Sequence, residues 1–250
     1  MPTILLTNDD GISAPGLRAL RARLEGLGGV YVAAPDRERS ASAQSITLLE
    51  PVFYEQVAER EWAVAGTPTD AVILALNRLL PGRPDLVLSG INHGANLGEN
   101  VYYSGTAAGA MEGTINGLAA CAISMVGRSP EPDFTAAAAF TRQLAELALT
   151  EGLPEGVMLN VNIPAQWTGG VRFTRQSRKI TRNLLQEGVD PRGRTYVWLS
   201  EQKRINDVEP DTDYAAIFAG AVSITPLAFD RTHTTSLNHL SHWAEQLRRK

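Results

Sequence analysis

Short apolar runs alternate with amphipathic stretches along the first two thirds of the chain. Ile4–Leu6 is an apolar run ending in a polar turn, which suits a strand buried on both faces of a parallel sheet. Pro15 opens a predicted helix whose Leu17, Leu20, Leu24 and Leu27 recur on one face, ended by Gly28 and Gly29. Val30–Ala34 reads as the next strand, stopped by Pro35, and residues 45–65 carry a less regular β pattern. Thr67 and Pro68 supply the cap and first position of a helix running to about Leu80. Leu86–Leu88 and Ala119–Met125 are the third and fourth buried strands, separated by a long glycine-rich loop and a helix near 105–116. A helix around 134–149 then leads to a strand at Met158–Val161.

Strands alternating with helices imply βαβ units with right-handed crossovers, hence an α/β core of three layers around a mainly parallel sheet. After Pro164 the helical period fades. Short β-like pieces follow at 171–175, 195–199 and 221–225, with a final helix near 235–248. The expected division is a core over 1–165 and a β-rich extension over 166–250, a hairpin-like arm suited to oligomerisation and carrying the C-terminal helix.

Bulk composition narrows the partners. A chain of 250 residues with 44% hydrophobic and 20% charged residues can pack one large domain, or one with a smaller appendage. Its 23 basic against 27 acidic residues leave a net charge of −4, which argues against nucleic-acid polymers and polybasic membrane binding. Small anionic substrates stay compatible, because a bound cation can reverse the local field. The single Cys121 excludes an internal disulfide, and with four histidines it offers little for a Cys/His zinc site. Met1–Leu6 lacks a basic lead and runs straight into Asp9 and Asp10, unlike a signal peptide, and no apolar stretch approaches a membrane span of about 20 residues. A cytoplasmic setting is expected.

Three polar segments fall at predicted strand ends, where open α/β sheets bind ligands: NDDG (8–11), DRERS (36–40) and SGINHGANLG (89–98). Asp9 and Asp10 would point to opposite faces of a continuing strand, but Gly11 permits a turn that could aim both inward. Two carboxylates so close repel unless a cation or proton lies between them; the plainer reading is a solvated turn with a capping Asp. Ser40 and Asn92 would add a hydroxyl and an amide carbonyl. The resulting all-oxygen set suits magnesium, manganese or calcium rather than zinc and leaves about two of six positions for water or substrate. Ser40 alone would as readily be a turn or cap residue.

Ser104, Gly105 and Thr106 stand where a helix begins, so free N–H groups and two hydroxyls could cradle a phosphate, or merely form a small-residue helix start. Asn96 could orient its loop or touch substrate, and His93 could serve as a general acid or lie exposed. His233, His239 and His242 suit surface roles, and Cys121 suits the core. Arg175, Arg178, Lys179 and Arg182 form a basic cluster, read as a solvated face, an arm over a phosphate site or a subunit contact.

The stretches TNDDGISAPGL, APDRERSASAQSITL, GTPTDAV and DLVLSGINHGANLGENVYYSGTAAGAMEG, with FTRQSRK (173–179) and VSITPL (222–227) later, resemble the SurE family of stationary-phase survival protein E nucleotidases, in family order over nearly the whole chain. The resemblance implies a Rossmann-like catalytic core and a C-terminal β extension exchanged between subunits of a homodimer or homotetramer. It further implies a phosphatase of nucleoside 5′- and 3′-monophosphates, and in some members of short polyphosphate. One divalent cation per subunit, Mg2+ or Mn2+, would be held by Asp9, Asp10, Ser40 and Asn92. Read from the residues themselves rather than from the resemblance, Asn96, Ser104, Gly105 and Thr106 are expected to meet the phosphate, and Asp9 or Asp10 to activate the water or else to form a covalent phospho-aspartate. Gln44 stands where many relatives carry His or Asn, and Ala71 replaces a frequent Cys.

Other acidic-pair folds fit less well. A receiver-like signalling module needs a phospho-accepting Asp where this chain has Ser89, and a haloacid-dehalogenase-type phosphatase needs Asp-x-Asp. A dinucleotide-binding oxidoreductase needs a glycine-rich turn where Asp9 and Asp10 stand.

Overall fold

The computed structural model describes residues 1–127, 129–167, 169–178, 181–203 and 209–247. β1 (Thr3–Thr7), β2 (Gly29–Pro35), β4 (Glu61–Val64), β5 (Leu86–His93), β6 (Ala119–Val126) and β7 (Val157–Pro164) run parallel. β3 (Tyr54–Ala58) pairs antiparallel with β4 at one edge. β11 (Val222–Ala228) pairs antiparallel with β7, and β8 (Val171–Phe173) lies parallel to β11 at the other edge. Among the described residues these form one nine-stranded sheet in the order β3-β4-β2-β1-β5-β6-β7-β11-β8.

Helices cover both faces, as the continuous apolar runs in the central strands require. α1 (Pro15–Arg23) and α4 (Thr135–Glu151) pack Leu17, Leu20, Phe140 and Leu144 on Ile4, Leu6 and Leu88. On the opposite face α2 (Pro68–Leu74) and α3 (Gly105–Ile115) pack Val72 and Met111 on Leu5 and Val87. Adjacent residues of β1 thus feed different layers, the period-two alternation of a strand. Burying each of these large apolar side chains contributes about 1.5–3 kcal/mol.

Several elements differ from the sequence expectation. α1 stops at Arg23 rather than reaching Leu27, because Leu24 already closes the last turn and residues 24–27 turn toward β2. β5 continues to His93, so the glycine-rich segment begins as strand, with a register break between Ser89 and Asn92. The pieces near 171 and 222 join the main sheet through β7, which offers a hydrogen-bonding edge once β6 is paired on its other side. Among the described residues only β9 (Thr181–Val189) and β10 (Thr195–Lys203) stand apart, as a two-stranded antiparallel ribbon. α5 (Asp213–Phe218), absent from the sequence reading, precedes β11. The final helix is split into α6 (Thr234–Leu240) and α7 (Trp243–Gln246), and position 248 lies outside the described residues. Among the described residues no helix is long and apolar enough to cross a membrane.

Candidate active site

β1 and β5 are neighbours whose connections leave in opposite directions, β1 toward β2 and β5 toward β6. Their carboxyl ends therefore flank the crevice where doubly wound sheets bind ligands. A cleft of about 740 Å³ opens there, bordered by Asp9, Asp10, Ser40, Asn92, Asn96 and Ser104, and also by Glu38, His93, Asn100, Tyr103 and Leu199. Its size suits a small organic ligand.

The turn after β1 is braced by fully buried Asn8, whose Nδ2 donates to Gly11 O at 2.9 Å and whose Oδ1 accepts from Gly11 N–H at 3.2 Å. Gly11 takes φ +101°, a left-handed conformation that side chains disfavour. This is the turn that brings both acidic side chains to the cleft. Asn8 was not singled out from sequence, although an Asn three residues before a glycine is a local turn signal.

Asp9 is 5% exposed, and the hydroxyl of Thr106 donates to its Oδ1 at 2.6 Å. Burial pushes the Asp9 carboxyl above the ordinary range; hydrogen bonds from Thr106 oppose this, and the charge of Glu38 adds to it. Asp10 accepts a long 3.3 Å bond from the His93 N–H. Burial, then the charge of Asp9, push its carboxyl up to about 6. Two adjacent carboxylates raised in this way form an electrostatic site for a proton or a cation.

Ser40 sits on the exposed turn after β2, and its hydroxyl donates to Glu38 Oε1 at 2.6 Å. That turn is fastened to the acidic pair by Arg39 N–H on Asp9 O at 2.7 Å. It also contains Ala41 and Ala43 at φ 57° and 50°, a conformation uncommon for residues with a Cβ. Asn92 lies past the β5 register break and donates from Nδ2 to Gly94 O at 2.9 Å, and among the described residues no donor meets its Oδ1.

α3 begins against Asp9. Ser104 is its N-cap, with Oγ accepting from Ala107 N–H at 3.0 Å, and the residue borders the cleft. A Cβ on Gly105 would lie 2.7 Å from Asp9 Cβ and 2.8 Å from Ser42 Oγ, so only glycine lets the helix start come this near. Thr106 departs from the expectation that it faces a phosphate. It is fully buried, and its hydroxyl is directed to Asp9.

Asn96 is nearly buried, and its bonds are those of a loop-orienting residue. Its N–H donates to Asn162 Oδ1 at 2.9 Å, its side chain donates to Ser124 Oγ at 2.8 Å, and its carbonyl accepts from Asn160 and Asn162 at 2.8 and 3.0 Å. His93 is exposed at the end of β5, edge-on to Phe134 at 6.1 Å. Cys121 is fully buried in β6, and burial pushes its thiol up to about 12, so it is no nucleophile. Arg175 pairs with Glu209 and, at 2.7 Å, with Asp211, and Arg178 is exposed. Lys179 lies outside the described residues, as does the side chain of Arg182. His233 caps α6 by accepting from Ser236 N–H at 3.2 Å.

Among the described residues no cluster of three or more His, Cys, Asp or Glu is arranged to hold a metal. The fit to a cation rests instead on two carboxylates with neutral oxygens of Ser40 and Asn92 beside them. That donor chemistry matches a hard ion such as Mg2+ or Mn2+.

Fold and site together define a doubly wound α/β protein with an acidic, oxygen-lined cleft facing a helix N-terminus. The family described as Survival protein SurE matches residues 4–183. The chain is 46% identical over 254 residues to 5′-nucleotidase SurE of Symbiobacterium thermophilum, covering 97% of this chain and 98% of that one. It is 48% identical over 238 residues to 5′-nucleotidase SurE of Moorella thermoacetica, covering 92% and 91%. Its fold matches the crystal structure of the SurE protein from Aquifex aeolicus with a TM-score of 0.88 at 40% identity, over 97% of this chain and 100% of that one. The chain belongs to the SurE family.

Proposed function

We propose that this chain is a divalent-metal-dependent nucleotidase of the cytoplasm. It releases phosphate from nucleoside 5′-monophosphates and, by the same phosphomonoester chemistry, from 3′-monophosphates and short polyphosphate. Nucleotidase activity follows from relatives of that name that match almost end to end. The observation that carries the metal dependence is the pair Asp9 and Asp10, both raised by burial and crowded at one end of the cleft.

Asp9, Asp10, Ser40 and Asn92 would hold one Mg2+ or Mn2+. When bound, the cation supplies charge neutralisation at a phosphate oxygen and acidifies a water. Ser104 and the start of α3 orient the remaining phosphate oxygens, with the positive helix end favouring the anion. Gly105 keeps that helix start within reach of the acidic pair, and Thr106 holds Asp9 in one orientation. Asp10, the more open of the two carboxylates, takes the proton of the attacking water. Asn96 keeps the loop between β5 and α3 in place through Asn162 and Ser124.

The ribbon of β9 and β10 supports assembly as a homodimer or homotetramer, since Leu185, Val189, Val197, Trp198 and Leu199 are all exposed on it. The central experiment measures phosphate release from AMP. Release should stop with chelator and return with Mg2+ or Mn2+. Full activity in a verified metal-free sample would overturn the metal assignment, and no release from any nucleoside monophosphate would overturn the nucleotidase reading.

A further inference from the structure

Asp213, the first residue of α5, is fully buried at 0% exposure and lies outside the cleft. Among the described residues no cation pairs with it. Four donors hold it instead: Gly98 N–H on Oδ2 at 2.8 Å, and on Oδ1 the Ser177 N–H at 3.2 Å, the Ser177 hydroxyl at 2.5 Å and its neighbour Tyr214 N–H at 2.8 Å. A buried carboxylate is costly unless such donors replace its water, and bonds to a charged acceptor are roughly twice as strong as neutral ones. Capping a six-residue helix does not require a full charge.

The segments that meet on this carboxylate both lead to the cleft. Gly98 lies between Asn96 and Asn100, which border the cleft, and opens the 3-10 turn over Gly98–Tyr103 that delivers Tyr103 and Ser104. Its carbonyl is held as well, by Gln176 Nε2 at 2.7 Å. Ser177 stands four residues before β9, the first strand of the ribbon whose Leu199 borders the cleft. One buried charge thus ties together two segments, far apart in sequence, each of which leads in the chain to residues on the cleft walls.

We propose that Asp213 is a positioning residue for the reaction. Through Gly98 it pins the loop behind the phosphate end of the cleft, through Ser177 it pins the root of the ribbon, and it thereby sets the spacing between those walls. The inference rests on the nucleotidase reading above. Asp213→Asn keeps the shape but turns an N–H2 against donors on one side, so one of the two anchors is lost.

The test compares AMP hydrolysis, amide exchange and metal-induced melting shifts in the full-length wild type, Asp213→Asn and Ser177→Ala. Asp213→Asn should raise KM at least about tenfold, since misplacement near 1 Å can cost as much as about 100-fold. Exchange over residues 94–103 should quicken, while the melting shift on adding Mn2+ is kept, because Asp213 touches none of Asp9, Asp10, Ser40 or Asn92. A lower melting temperature with KM within about twofold of wild type would mean a structural role only and would overturn the proposal. If Asp213→Asn fails to fold, Ser177→Ala decides, by a KM raised about threefold with faster exchange, or by neither. A wild type that does not hydrolyse AMP refutes the nucleotidase reading alone; unchanged exchange over 94–103 in the variants refutes the clamp.

Discussion

Thr106 and Asp9, 97 residues apart, are joined by a 2.6 Å hydrogen bond from the threonine hydroxyl to Oδ1 of the carboxylate. Both are buried, so the bond selects one orientation of Asp9 and leaves its other oxygen, Oδ2, on the side of Gly105. Thr106→Val preserves shape and removes the donor, which costs about 1–3 kcal/mol when the partner is charged and buried. The variant should lose about 10- to 100-fold in kcat/KM, and Thr106→Ser should restore most of it. Steady-state hydrolysis of AMP measures both, and a valine variant as active as wild type would show that Asp9 needs no such brace.

Asp9→Asn separates a metal-binding acidic pair from a merely structural turn. Relief of the repulsion with Asp10 should keep the metal-free melting temperature level or raise it. Stabilisation by added Mn2+ should shrink, and turnover should fall by at least about 100-fold. A structural Asp9 gives the reverse, about 1 kcal/mol of lost stability with activity largely kept. Melting curves with and without metal, together with turnover on the same variant, decide between them.

Asp70 predicts a pH dependence of stability away from the cleft. It forms a capping box with Thr67, accepting Thr67 N–H at 2.9 Å while Thr67 Oγ1 accepts Asp70 N–H at 3.1 Å. Thr47 adds bonds at 2.9 and 2.7 Å. Burial acts to raise the Asp70 carboxyl, but these hydrogen bonds outweigh it and hold the group below its ordinary value. A depressed folded value contributes stability above the unfolded value, near about 3.9, and loses it as pH falls through the depressed one. Asp70→Asn should therefore cost about 1 kcal/mol at neutral pH, with the gap to wild type closing below roughly pH 4. A gap independent of pH would refute the charged capping role.

The β9–β10 ribbon should hold subunits together. Leu185, Val189, Val197 and Leu199 share one face, and Tyr196 and Trp198 the other, all of them exposed. A two-stranded ribbon is marginal by itself, and apolar residues on both faces call for covering from outside. Leu185→Ser with Val197→Ser should lower the mass measured by light scattering, while metal-dependent melting stays intact. A wild type that runs as a monomer at micromolar concentration would dismiss the ribbon as an interface.

Much of this was legible locally. The buried parallel strands, the Thr67 cap, the turn at Gly11 and the gathering of three polar loops at one sheet edge all follow from hydrophobic period and turn chemistry within a few residues. The edge strands were less legible. β8 and β11 look like an appendage in sequence, yet they complete the main sheet because β7 presents an unpaired edge to them. β9 escaped notice, and α5 with its buried Asp213 carried no local sign of importance.

Chain order and residue type by themselves determined the α/β class, the position of the acidic pair and the all-oxygen character of its surroundings. These depend on backbone geometry and donor chemistry that neighbouring residues carry with them. Tertiary structure decided the partners: Thr106 on Asp9, Asn162 and Asn160 on the backbone of Asn96, and Asp213 between Gly98 and Ser177. Each of these bonds joins residues at least 35 positions apart. Whether a buried hydroxyl or carboxylate finds a ligand or another segment depends on which strand ends the sheet order brings within 3 Å, and no local pattern encodes that order.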